Sequence, residues 1–160
     1  MKIDKRKLRH DINSLFFKLE TSISLLKNEI SPEEKKIVID ILEKVEKKLK
    51  TFMTLSLFEK ELETFLPTNE DINLGNFLNF EENIPINSDK KLIEKLFEIL
   101  FVLNKNEQIE EKFGNNRLTV KGNFKIEDEI DKYFVLMLKK IAQIGNLNLK
   151  INEKKVEINW

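Results

Sequence analysis

The chain has 160 residues, 41% of them hydrophobic, with Lys+Arg and Asp+Glu balanced at 28 each and no cysteine. A formal net charge of zero argues against bulk electrostatic attraction to nucleic acid, and the lack of thiols excludes disulfides, thiolate metal sites and a cysteine nucleophile. No run approaches the ~20 apolar residues needed to span a bilayer, and the basic opening KIDKRKLRH leads into no secretory-type apolar stretch, so the expected compartment is the cytoplasm, with no membrane and no nucleic-acid partner.

The first element reads as a helix. At roughly 100° per residue, Leu8, Ile12, Leu15, Leu19, Ile23, Leu26 and Ile30 share one face, and Phe16 flanks it. His10, the only histidine, lands nearly opposite, among Asn13, Ser14, Phe17, Thr21, Ser24 and Asn28, and is expected to be exposed. The helix stops at NEISPEEKK, where Ser31 suits an N-cap, Pro32 the first helical position and Glu34 the capping-box carboxylate. A second helix is expected from Pro32 to about Phe65, with Val38, Ile41, Leu42, Val45, Leu49, Phe52 and Met53 as its apolar stripe. Two long helices joined by a tight turn make an antiparallel hairpin. One hairpin alone buries such stripes poorly, so two are expected to pair in a homodimeric four-helix bundle.

LPTNED, residues 66–71, is the best linker, which places a boundary between residues 1–66 and 67–160. Beyond it DINLGNFL and NFEENIPI read as short strands around Gly75 and Pro85. SDKKLIEKLFEILFVLNKN is a helix capped by Ser88 or Asp89, with Leu92, Leu96, Ile99, Leu100 and Leu103 inward. IEEKFGNNRLTVKGNF is a hairpin turning at Gly114-Asn115-Asn116. EDEIDKYFVLMLKKIAQIG is a helix with Gly145 as its C-cap, and LNLKINEKKVEINW is a last hairpin ending in Trp160. The class is α+β, a helical hairpin followed by helices laid on an antiparallel or mixed sheet.

RHDINSLFFKLETSISLL, an exposed His-Asp pair early in a helical hairpin, resembles the dimerisation and phosphotransfer domain of bacterial sensor histidine kinases. Those kinases usually carry a proline five residues after the histidine, where this chain has Leu15. DKKLIEKLFEILFVL resembles the first nucleotide-site helix of the kinase ATPase domain, but the two expected asparagines are Glu98 and Val102. YFVLMLKKIAQIGNLNLKINEKKVEINW is similar to the last helix and final hairpin of that domain. The glycine-rich turns and ATP lid that lie between them in kinases have no counterpart here, where only Gly114 and Gly122 are available.

The resemblance thus implies a phosphotransfer hairpin followed by a small degenerate ATPase-like α/β unit that binds no nucleotide. It points to a histidine phosphotransferase relaying phosphoryl groups between receiver-domain aspartates of response regulators, with no cofactor and no metal of its own and Mg²⁺ expected on the receiver. On that reading His10 is the phosphoacceptor, since a histidine is largely neutral and nucleophilic at cell pH. Asp11 would orient or activate it, and Ser14, one turn on, would orient a water in dephosphorylation. Arg6 and Arg9 would screen the incoming phosphate, and Asn13, Phe17 and Thr21 would complete the receiver-binding face. Two alternatives stay open at this point: a kinase-like dimer that inhibits or scaffolds a histidine kinase or response regulator with His10 idle, and a structural dimer whose likeness is fold history only. Glu98 has no partner carboxylate or metal-ligand spacing to suggest catalysis, and no phosphate-cradling glycine loop, zinc spacing or serine triad is found.

Overall fold

A computed structural model describes residues 1–78, 81–106 and 110–160. Helix α1 covers Lys5–Leu26 and α2 covers Pro32–Leu62. Asp4 caps α1 by accepting the Arg6 and Lys7 amides. Ser31 and Glu34 form the reciprocal capping box that opens α2, as the sequence predicts. The helix ends at Leu62 rather than near Phe65.

The apolar stripes divide in a way the helical wheels do not show. In α1, Leu15 and Ser22 are buried, whereas Ile23 is 42% exposed. In α2, Val38, Val45 and Leu49 are buried against α1, but Ile41 and Met53 stay exposed. From Thr51 the buried residues of α2 are Leu55, Phe58 and Leu62, a different flank. The reason is tertiary: the lower half of α2 is covered by helices of the C-terminal half, and the stripe turns to meet them.

That half is α+β. Strand β1 (Glu70–Asn73) pairs antiparallel with β2 (Pro85–Ser88), and between them lies one helical turn, α3 (Gly75–Leu78). The strand expected through Gly75 is therefore replaced by a turn, because the Asn73 side chain accepts the amides of Gly75 and Ile84 and closes the chain locally. Part of NFEENIPI, residues 79 and 80, lies outside the described residues, as do 107–109, which include Ile109 at the start of the next hairpin.

Helix α4 (Lys90–Leu103) is capped by Asp89, with its five predicted inward residues all buried. Strands β3 (Glu110–Gly114) and β4 (Arg117–Lys121) turn through Asn115 and Asn116 at φ 51° and 54°, the two left-handed positions of a type I′ turn. Helix α5 (Glu129–Ile144) ends at Gly145, which keeps an ordinary φ of −78°. The left-handed residue is the next one, Asn146 at 55°. Strands β5 (Asn148–Ile151) and β6 (Lys155–Asn159) complete a four-stranded antiparallel sheet of order β3-β4-β6-β5. Trp160 stacks on Phe113 and donates its indole N–H to the Pro85 carbonyl, tying the larger sheet to the smaller one.

α4 and α5 pack on each other and on α2, and one continuous core runs from Leu15 and Val45 through Leu55 and Phe58 to Leu96, Phe134 and Val156. A buried ion cluster joins the same parts. Lys48 of α2 reaches Asp131 at 2.7 Å and Asp128 at 2.6 Å, and Lys105 reaches Asp131 at 2.9 Å. Among the described residues no helix is long and apolar enough to cross a membrane.

Candidate functional site

His10 lies in the second turn of α1, with its side chain 83% exposed. Its Nδ1 stands 3.3 Å from Oδ1 of Asp11. An ionised carboxylate only accepts, so the contact is a hydrogen bond in the tautomer that carries its proton on Nδ1, and that tautomer keeps the Nε2 lone pair free of it. The other oxygen of Asp11, Oδ2, accepts the backbone amide of Glu129 at 2.9 Å. Asp11 therefore links the histidine to the first residue of α5, and this link is why it is much less exposed than His10.

The link is reciprocal. Glu129 is buried, and its Oε2 accepts the Asp4 amide at 3.1 Å while Oε1 meets the Lys132 ammonium. Lys132, with help from the Asp4 amide, holds the Glu129 carboxyl below the usual carboxylate range. The N-termini of α1 and α5 thus face each other, each offering amides that the other's carboxylate takes up, a favourable use of the positive ends of both helix dipoles. Asp128 caps α5 through the Asp131 amide.

Between these two helix starts lies a surface pocket of about 380 Å³, lined by Lys7, His10, Asp11, Ile126, Glu127, Asp128, Glu129 and Lys132. Lys7 and Lys132 supply positive charge beside the imidazole. Neither is apparent as a site residue in the sequence. Lys7 precedes His10 by three positions and so shares its side of the helix, a signal the wheel contains. Glu129 and Lys132, an i,i+3 pair on α5, come beside His10 only through the tertiary fold, and the sole hint of them is the acidic run EDEID at a helix start.

The other sequence candidates lie outside this pocket. Arg6, Asn13, Phe17 and Thr21 are exposed along the His10 side of α1, and Ser14 is half-buried one turn on. Arg9 is exposed too, but as the residue before His10 it projects roughly 100° around the helix. Phe17 is 69% exposed, so it is not covered by the C-terminal half of its own chain.

Glu98 and Val102, which stand where the kinase resemblance expects asparagine, turn toward the hairpin. Glu98 accepts the Thr54 hydroxyl of α2 at 3.1 Å and pairs with Lys95 at 2.6 Å.

No known family matches this sequence, and no curated protein matches it. The structure does have solved neighbours. The histidine kinase AdeS of Acinetobacter baumannii superposes with a TM-score of 0.54 over 93% of this chain and 95% of that one, at 13% sequence identity. The chain has a histidine-kinase-like fold. The agreement runs through the helical hairpin and the α/β half together, in the order the sequence resemblance implies.

Proposed function

We propose that this protein is a histidine phosphotransfer protein that relays phosphoryl groups between receiver-domain aspartates through His10, works as a homodimer and uses no ATP. The observation that carries the reading is the state of His10. It is exposed on a helix, with Nδ1 3.3 Å from the Asp11 carboxylate, in a chain with a histidine-kinase-like fold.

The chemistry asks little more of this chain. Nε2 attacks the phosphorus of an aspartyl phosphate on the receiver, the N–P bond forms, and the P–O bond to the receiver carboxylate breaks with that carboxylate leaving. The proton stays on Nδ1, and Asp11 offsets the positive charge that develops on the ring. Lys7 and Lys132 line the pocket beside His10, where they would reduce the repulsion between an incoming phosphate and the carboxylates around it. Positioning and charge compensation are the main demands of phosphoryl transfer, and the Mg²⁺ belongs to the receiver. Glu98 and Val102 offer a nucleotide neither of the expected amide side chains, and Glu98 is already engaged with Thr54 and Lys95.

The test is incubation with radiolabelled ATP alone and, separately, with a receiver domain charged from acetyl phosphate. Label carried on this protein from the receiver but not from ATP is the expected result. Autophosphorylation from ATP would make it a kinase and refute the reading.

A further inference from the structure

A second and larger concavity lies on another side of α1, between the hairpin and the end of α4, with a volume of about 790 Å³. Leu15, Ile41, Val45, Phe101 and Val102 line it. Ile41 is 40% exposed, so the cleft presents apolar surface to solvent. Lys18, Lys44 and Lys47 also line it, with Lys48 and Lys105 deeper. The deep lysines are neutralised by Asp128 and Asp131, and Lys44 pairs with Asp40. Lys18 and Lys47 have no acidic partner among the described residues. Glu127 also lines the cleft and lies 3.9 Å from Lys105, so Lys18 and Lys47 leave the rim net positive over an apolar floor in a chain of zero net charge.

We infer that this cleft is a binding site for a small amphipathic anion, an organic carboxylate or phosphate with an apolar body. The volume falls in the ~300–1,000 Å³ range of small-molecule sites, which favour concave, largely apolar surfaces between packed units with few polar anchors. The two unpartnered lysines supply the anchors and set the sign of the charge. An apolar tail on Leu15, Ile41 and Phe101 would remove from water the surface the fold leaves wet. Because α1, α2 and α4 all contribute walls, a bound ligand would also bridge the hairpin to the C-terminal half.

The test is titration of the isotope-labelled full chain with decanoate below its micelle concentration, followed by amide chemical shifts. Decanoate should move the amides of Leu15, Lys18, Ile41 and Phe101 in a saturable way. Decyltrimethylammonium, with the same tail and opposite charge, should bind at least tenfold more weakly. The doubly substituted Lys18→Glu/Lys47→Glu chain should lose at least tenfold in decanoate affinity while its amide spectrum stays folded. Equal affinity for the two amphiphiles, or shifts centred on Phe16 and Met53 in place of the cleft, would overturn the assignment. Pelleting with phosphatidylglycerol vesicles without decanoate shifts at the cleft would assign the lysines to a lipid surface, and that too would overturn it.

Discussion

The carboxylate of Asp11 holds the backbone amide of Glu129 at 2.9 Å across 118 positions of sequence, and its second oxygen stands 3.3 Å from His10 Nδ1. One side chain thus contacts the histidine and accepts the first amide of the helix that faces it. The two roles separate by substitution. Asp11→Ala removes a helix-terminal acceptor and should cost ~0.5–2 kcal/mol in urea unfolding. Asp11→Asn retains an acceptor but loses the charge. It should stay close to wild type in stability while accepting phosphate ~10²-fold more slowly, the low end of what a positioned proton partner contributes. Unchanged transfer kinetics in Asp11→Asn would remove Asp11 from the chemistry.

Phe17 is the one large apolar side chain on the otherwise polar His10 side of α1, and it is 69% exposed. Its own chain does not account for it. As a receiver anchor, Phe17→Ala should weaken receiver binding by ~1–3 kcal/mol, read by calorimetry, with the melting temperature almost unmoved. Loss of stability with full receiver affinity would mean the docking face lies elsewhere.

The single chain leaves Phe16 and Ile23 of α1 and Ile39, Met53 and Leu57 of α2 exposed. By helical phase they lie on the side of the hairpin away from the C-terminal half, where a second hairpin would complete a four-helix bundle. The informative substitutions are therefore Ile23→Glu and Met53→Glu, which should halve the mass seen by light scattering at micromolar concentration and leave the circular dichroism of a folded chain. A charge at Val45 is a different experiment. Val45 is buried within its own hairpin, so that variant should unfold, since an unpaired buried charge costs several kcal/mol. A monomeric mass for the unsubstituted protein would contradict the arrangement.

The elements that depend on local pattern were legible from residues alone. The capping box at Ser31, the Asn115-Asn116 turn and the inward face of α4 each carry their cause within a few positions. What was not legible depends on which surface another element covers. Ile23, Ile41 and Met53 are as apolar as their buried neighbours, yet they stay exposed while the polar Ser22 and Thr51 are buried. The candidate site divides the same way. His10 and Asp11 stand side by side in sequence, whereas Glu129 and Lys132 arrive through the fold.

Asp131 is fully buried. Burial pushes its carboxyl up, but Lys48 and Lys105 overcome that and hold it below the usual carboxylate range. Its folded pKa lies below the unfolded value of ~3.9, so the stability it contributes is fully present above that value and is lost as the pH falls through the folded pKa. Lys48→Met leaves the buried carboxylate poorly compensated and should cost ~3–5 kcal/mol at neutral pH. The gap between variant and wild type should narrow as the pH is lowered below ~4, because a protonated Asp131 no longer needs the lysine. Urea unfolding at pH 7 and in acid measures both gaps, and a gap independent of pH would show that Lys48 acts through its packing alone.

The central claim is that His10 carries the phosphoryl group. The most direct measurement is mass spectrometry, under alkaline conditions that preserve phosphohistidine, on protein exposed to a phosphorylated receiver, with His10→Gln alongside. His10 is exposed, and substitutions at such positions move stability by less than ~0.5 kcal/mol, so the variant should fold and dimerise as the wild type does. Phosphate mapped to His10 in the wild type and absent from His10→Gln is the predicted result. Phosphate on His10→Gln at the wild-type rate, or none on the wild type with any receiver that binds it, would contradict the account.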